Sequence, residues 1–400
     1  MFKPWVRPAS ALTALAAIAV PAPSMAQEQL IEELAIERAL AREGVIALDE
    51  ADRDAAAAEV GMIGPLENPS LELSREGAGL ENEWQLGIVQ PLNLSGQRGS
   101  LRDAARAEAE AVDSDIERRR QELVAETRTA FIECAAAGAA LEIWRRYDTN
   151  LSEAERSATA RAEAGDTAGY DVRRVRVEAR GADAQLAMAE GERQASCVAL
   201  ASLTGIADPQ VHPSAMTSLA SPEAIGERPD LAAQEQRLLA ASQRASAARR
   251  ARVPQVSLGA AVKRVDDGID TAYGPVLSVG VTLPIWNGGG AAVSAAEARE
   301  RGLAAELAIT RRRVEAEQEA AGARALAARD AATRAARARE DASRLGTIAE
   351  TAYQAGETGV VELLDAFEAG RDAELSVIAL ARDAAIATIA FDLATGRRIP

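Results

Sequence analysis

Ala164-Gly165-Asp166-Thr167 interrupts one long alanine-rich stretch, and Ala355-Gly356-Glu357-Thr358 interrupts a second, 191 residues further on. Proline is absent from Leu92 to Asp208 around the first break and from Ile285 to Ile399 around the second. Runs of this size rich in Ala, Glu and Arg read as long helices, because nothing in them removes a backbone donor or clashes with the preceding turn. Val112, Ile116 and Leu123, like Leu303, Leu307 and Val314, recur at spacings of four and seven, which buries one seam against a partner helix. Each run therefore reads as two antiparallel helices folded about its break. A helix from Gln97 to Ala164 extends ~100 Å at 1.5 Å per residue.

The offset between the breaks is shared by Leu203-Thr204-Gly205 and Ala394-Thr395-Gly396, which end the second helix of each pair. A constant offset is the signature of internal duplication. The halves are a first repeat at 27–215 and a second at 216–400. Ahead of each helical pair lie short stretches of alternating apolarity: Leu71 and Leu73 with Trp84, Leu86 and Ile88, then Val256, Leu258, Ala260 and Val262 with Leu277, Val279, Val281 and Leu283. Period two predicts strands near 68–75, 84–94, 254–264 and 275–285, with polar or Gly-containing turns at Glu76 to Glu83 and Asp266 to Thr271. The expected fold is mainly α with a small β-part: two repeats of a β-hairpin plus a long α-helical coiled-coil hairpin.

The N-terminus carries Lys3 and Arg7, an apolar stretch from Ala11 to Val20, and Ser24-Met25-Ala26, the pattern of a secretory leader cleaved to leave Gln27 first. About ten apolar residues are too few for a membrane-spanning helix, and no other segment comes nearer, so any membrane crossing falls to the strands. No cysteine follows Ala26, so a lipid anchor there is not indicated. The net charge of −16 argues against nucleic-acid binding; it could favour cation passage through a lumen, but solvated helical faces explain it more simply. Aromatics are 3% of the chain, which favours helices packed through small side chains over one bulky core. Four strands cannot close a membrane barrel, which starts at about eight, so strands must be pooled between copies.

Asn68-Pro69-Ser70-Leu71-Glu72-Leu73, then Val89-Gln90-Pro91-Leu92-Asn93-Leu94-Ser95-Gly96-Gln97-Arg98 running into an Ala-rich helix, resembles the TolC family of outer-membrane efflux proteins, and within it the CzcC-like heavy-metal-cation branch. Val281-Thr282-Leu283-Pro284-Ile285-Trp286-Asn287-Gly288-Gly289 repeats the theme, and Arg228-Pro229-Asp230 is also similar to the family pattern. The resemblance covers residues 27 to 400 and rests on the order and duplication of individually loose motifs. It implies a homotrimer with a twelve-stranded barrel in outer-membrane lipid and an α-helical tunnel in the periplasm. It also implies docking to a periplasmic adaptor and an inner-membrane pump of the RND type, with the channel conducting passively. The substrate this resemblance implies is a divalent heavy-metal cation or, alternatively, an organic compound of the multidrug kind.

Tyr353 through Asp365 is similar to the family's gating segment, with Glu362 and Asp365 where it places an acidic pair. Three-residue spacing puts both carboxylates on one helical face, which three copies would turn into two stacked rings of negative charge; favourable placement at a helix start explains them as well. Tyr353 and Asp171 match positions that link neighbouring helices in the closed family channel, although Thr358 replaces the arginine of that network. Gly165, Thr167, Asp171 and Val172, with Gly356, Thr358 and Leu363, resemble the tip surfaces that receive the adaptor; turn glycines and N-caps account for some of the same residues.

No enzyme, cofactor or metal site is expected: His212 beside Pro213 reads as a loop residue, there is no Ser/His/Asp set, and Gly288-Gly289-Gly290 marks a strand-to-helix transition. Cys134 lies 31 residues before Gly165 and Cys197 lies 32 after it, at nearly the same height on an antiparallel hairpin. They read either as a disulfide or as two buried thiols serving as small apolar residues. Two other functions share parts of the pattern. A periplasmic adaptor carries one helical hairpin among β-rich domains, and a coiled-coil envelope protein has no need of strand pairs at matching places in a repeat.

Overall fold

The computed structural model describes residues 30–78, 81–165, 169–212 and 227–397. The leader at 1–26, the start at Gln27 and the tip residue Thr167 lie outside the described residues. The described residues begin with two helices that hydrophobic period did not mark, α1 (Glu32–Leu40) and α2 (Glu43–Met62). There follow β1 (Ser70–Ala78), β2 (Glu81–Leu92), α3 (Gln97–Ala164), α4 (Gly169–Thr204), α5 (Pro229–Arg250), β3 (Gln255–Asp266), β4 (Thr271–Thr282), α6 (Gly290–Ala355) and α7 (Val360–Ala394). Since α2 leads into one strand pair as α5 leads into the other, the repeating unit is a helix, a strand pair and a helical hairpin.

The helices differ in length by design of the hairpin. α3 and α6 have 68 and 66 residues and rise ~100 Å, whereas α4 and α7 have 36 and 35 and return only about half that distance. α5 completes the return in the first repeat. It is joined to α3 by Arg237 with Asp115 and by Arg244 with Glu108 at 3.0 Å, and to α6 by Arg249 with Glu297 at 2.9 Å. Ala104, Ala107 and Ala240 form the apolar contact beneath those ion pairs, and their small side chains let the backbones approach closely. α2 likewise grips α3 through charge, with Asp49 between Arg119 and Arg120 and Arg53 on Asp113. A helix held this way shows little apolar periodicity, which is why the sequence pattern misses it.

Two apolar clusters stiffen the lower half of the helical body. At mid-height Phe131, Ile132, Leu200 and Ile389 pack with alanines of α3 and α7 and with Leu30 and Ala35 of the N-terminal segment. Cys134 of α3 and Cys197 of α4 are disulfide-bonded in this cluster, with Cα atoms 4.8 Å apart. Beside it, the fully buried Arg128 donates from Nε to Glu32 at 2.5 Å and from Nη1 to Asp392 at 3.3 Å, tying α1, α3 and α7 together. The second cluster lies at the far end of the helices and is described below.

All four strands form one antiparallel sheet in the order β1-β2-β3-β4. Strand pairing continues further into the turns than side-chain alternation marks: β1 and β2 pair as far as Ala78 with Glu81, and β4 begins at Thr271. Pairing is a backbone property and survives where residues turn polar. In the second turn the Asp267 carboxylate accepts from the N–H groups of Ile269 and Asp270, which holds its pKa down. Register puts Leu71, Leu73, Leu86, Ile88, Leu258, Val262, Leu277 and Val279 on one face, all exposed. The opposite face carries Glu72, Glu83, Gln85, Lys263 and Ser278 among small residues, with Lys263 paired to Glu83. The strands converge on that polar face. A Cβ at Gly87 would come within 2.6 Å of the Ala261 Cβ, and one at Gly259 would collide with the Ser278 hydroxyl, so the sheet curls with its polar side inward.

Candidate functional site at the helical tips

The ends of the two helical hairpins are packed into one body. Tyr147, Leu151, Ala154 and Ala158 of α3, Val175 and Ala182 of α4, Tyr353 of α6, and Val360, Leu363 and Leu364 of α7 share a buried cluster. Gly165 and Gly356 end α3 and α6 in the left-handed region, at φ 85° and 77°, where a side chain would be strained. The Gly356 N–H donates to Tyr353 O at 3.0 Å and the Glu357 N–H to Ala352 O at 2.9 Å, which closes the last turn of α6.

The acidic pair stands on the surface of this body. Glu362 and Asp365 are both exposed in the first turns of α7, while Leu363 and Leu364 between them are buried. The Glu362 carboxylate bends back over the helix start, with Oε2 2.9 Å from the place a Cβ on Gly359 would take. Around the helix from Asp365, Glu368 has its carboxyl pushed up by burial first, then by the neighbouring charges of Glu178 and Asp365, with Arg371 opposing.

Tyr353 is 4% exposed, and its partner is a residue that sequence reasoning did not single out. Arg161 of α3 donates from Nη1 to Tyr353 O at 3.0 Å and holds its guanidinium 4.8 Å from the centre of the Tyr353 ring. No hydrogen bond joins Tyr353 to Asp171 within the chain; the Tyr353 hydroxyl is buried without a partner among the described residues, as is the Thr358 hydroxyl. Asp171 and Val172 lie half-buried in the first turn of α4. Leu363 belongs to the core at 2% exposure, whereas among the described tip residues Gly165, Gly356, Glu357 and Tyr170 are exposed and Val172 and Thr358 are half-buried.

A second arginine braces the tip from above. Arg371 of α7 lies 5.1 Å from the Trp144 ring and 4.5 Å from the Tyr147 ring, with Glu178 of α4 at 3.9 Å. The Tyr147 hydroxyl donates to Glu178 Oε1 at 3.0 Å, and burial followed by that acceptor pushes its pKa up. Arg146 pairs with Glu374 on the same side. α3, α4 and α7 are thus cross-linked by charge ~9 Å along α7 from Asp365, at 1.5 Å per residue. Nothing in the sequence marks these residues, because their spacing is ordinary for exposed helical charge and only the packing of three helices brings them together. His212 lies outside this body, and no cluster of His, Cys, Asp and Glu suited to a metal ion occurs among the described residues. Among the described residues no helix is long and apolar enough to cross a membrane.

Comparison with known proteins agrees with this architecture. The family described as outer membrane efflux protein matches residues 35–206 and again 220–397. Among curated proteins, none matches this chain in sequence. Among solved structures, the crystal structure of CusC superposes with a TM-score of 0.77 at 19% identity, covering 92% of each chain. A membrane protein from Pseudomonas aeruginosa gives 0.76 at 22% identity, over 91% of this chain and 92% of that one. The open state of the Neisseria gonorrhoeae MtrE outer membrane channel gives 0.74 at 19% identity, over 91% and 88%.

Proposed function

Because the chain belongs to the outer membrane efflux protein family, we propose that three copies of it assemble into the outer-membrane conduit of a pump–adaptor–channel export system. The observation that carries this reading is the sheet. Its apolar face is exposed, its polar face is concave, and its two edges, β1 and β4, run in opposite directions. With an even number of strands per copy, β4 of one copy meets β1 of the next antiparallel. Three copies close a barrel of twelve strands, every backbone group paired and the apolar face outward, as hydrocarbon requires.

In this reading the helices continue the barrel into the periplasm and their tips form its narrow end. The channel moves nothing by itself; the pump supplies energy, and the tips open when the adaptor docks against Gly165, Thr167, Val172, Gly356 and Thr358. Glu362 and Asp365 of three copies form two rings of carboxylates there, a filter that favours cations. Their exposure on one face of α7 supports this, as do the Glu72, Glu76, Glu81 and Glu83 side chains on the concave face of the sheet. Divalent heavy-metal cations are the substrate class this charge suits.

Fractionation and planar-bilayer recording test the channel. Recovery of a trimer from the outer membrane and an ion-conducting pore are expected, whereas a soluble or inner-membrane chain would return the protein to the adaptor or coiled-coil readings. Glu362→Gln with Asp365→Asn should weaken cation selectivity or block by divalent ions, and unchanged selectivity removes the filter. For substrate, a deletion strain is compared with its complemented parent on cobalt, zinc, cadmium, copper, dyes and antibiotics. Sensitivity confined to metals supports cation export; sensitivity confined to organic compounds moves the protein to the multidrug kind.

A further inference from the structure

One row of side chains crosses the whole sheet at the end furthest from the helices. Register places Arg75 of β1 opposite Trp84 of β2, Trp84 opposite Arg264 of β3, and Arg264 opposite Tyr273 of β4. All four sit on the exposed apolar face, so cation and aromatic alternate along the row. The Arg75 guanidinium lies 5.1 Å from the Trp84 ring centre and donates to Asn82 at 3.2 Å, and among the described residues it pairs with no carboxylate. One nitrogen of Arg264 is held by Asp266 at 3.2 Å, and its side chain stays 44% exposed. Charge is segregated by face: Asp266 is the single carboxylate on the apolar side of the four strands, while Glu72, Glu76, Glu81 and Glu83 all lie on the concave side.

The row also stands near one border of the barrel's apolar band. From Tyr273 to Leu283 the chain advances ten residues, ~34 Å at 3.4 Å each, or ~26 Å once a strand tilt of about 40° is allowed for. That matches the ~25 Å apolar band of membrane barrels. At its other border stand Leu283, Ile285 and the almost wholly exposed Trp286, with no charged side chain among them. Arginines stand at that border too, but Arg250 and Arg252 are turned onto the carbonyls of Gly96 and Gly288 at 3.0 and 2.9 Å, whereas Arg75 and Arg264 lie beside the aromatic rings of their own row.

We propose that the Arg75–Trp84–Arg264–Tyr273 row is a docking site for membrane lipids whose headgroup is a diphosphorylated saccharide, in the leaflet away from the helices. The inference rests on the barrel reading above. Strands lie about 4.8 Å apart, so Arg75 and Arg264, two strands apart, stand ~10 Å from one another. Closing the trimer around tilted strands displaces the next copy's Arg75 along the barrel axis from this row, so each copy contributes one such pair. The pair offers two cations to phosphates at the two ends of one sugar headgroup, with forked donors suited to phosphate oxygens. Trp84 lies between them and Tyr273 beside Arg264, where aromatic rings settle at the hydrocarbon border.

The test uses the detergent-solubilised trimer, titrated with diphosphorylated lipid A, with the same lipid stripped of its phosphates, with phosphatidylglycerol and with inorganic phosphate, bound lipid being counted by native mass spectrometry. The diphosphorylated lipid should bind at least about tenfold more tightly than its dephosphorylated form. Arg75→Gln with Arg264→Gln should abolish that preference while leaving trimer and conductance intact, and Arg75→Lys with Arg264→Lys should retain most of it. Equal binding of both lipid A forms, or an unchanged preference in the glutamine variant, overturns the proposal. So does equal binding of phosphatidylglycerol, which would make the row a general anionic belt, or equal binding of inorganic phosphate, which would make it a free-anion site. A chain that forms no trimeric pore before lipid is added sinks the barrel reading instead, so the two failures are told apart.

Discussion

Arg161 near the end of α3 caps the end of α6 by donating to the carbonyl of Tyr353 and lying over its ring. The two residues come from equivalent ends of duplicated helices: the 191-residue offset carries Arg161 onto Ala352 and brings Tyr353 back to Ala162. The repeats have diverged so that one tip supplies the cation and the other supplies the ring and the helix C-terminus that receive it. No carboxylate is needed, because the exposed carbonyls at a helix end carry partial negative charge.

Loss of this contact should loosen the second tip. Arg161→Ala removes one charged hydrogen bond and one cation–π contact, together worth ~1–3 kcal/mol. Amide exchange across residues 350–365 should quicken about tenfold, as ~1.4 kcal/mol of lost protection requires, while exchange at mid-height stays unchanged. Unaltered tip exchange would show that the cluster of Leu363, Leu364 and Val360 holds the tip without it.

The disulfide between Cys134 and Cys197 joins residues 63 apart at mid-height. Replacing both by alanine should lower unfolding stability by ~2–4 kcal/mol, chiefly by releasing the unfolded chain. A denaturant midpoint equal to that of the parent would show that the bond constrains nothing. Alkylation of the unreduced, unfolded protein should find no free thiol.

Glu368 makes tip stability depend on pH. Its folded carboxyl sits above the ordinary value of 4.5, through burial first and the charges of Glu178 and Asp365 next. The folded state therefore favours the protonated form, and its contribution is full below that ordinary value and lost as pH rises through the folded one. Relative to the intrinsic exchange rate at each pH, tip protection should be greatest in mild acid and fall toward neutrality, and Glu368→Gln should flatten that part of the profile. An identical profile in the variant would assign the pH dependence to other groups.

Two nearby positions on one strand distinguish lipid from lumen. Ile88 lies on the apolar face near the middle of the sheet, and Gln85 lies on the concave polar face. Ile88→Arg should cost ~2–4 kcal/mol of barrel stability in a bilayer, while Gln85→Arg should cost little and alter conductance. Equal costs would mean that the sheet does not face hydrocarbon on one side and water on the other.

Gly165, Gly356 and the proline-free runs around them determined the helical hairpins, since helix propensity and a left-handed stop are local properties of the chain. Alternation from Leu71 to Ile88 and from Val256 to Leu283 likewise determined strands, because successive side chains must point to opposite faces. Three things were decided only by tertiary structure. α2 and its ion pairs with α3 leave no apolar periodicity to read. Arg161, Arg371 and Glu178 acquire partners only where helices distant in sequence meet. The row from Arg75 to Tyr273 exists only once four strands take their register, for in the sequence its arginines stand 189 residues apart. Local backbone preference is written residue by residue, whereas a partner across a helix or sheet interface is set by the packing that brings the two surfaces together.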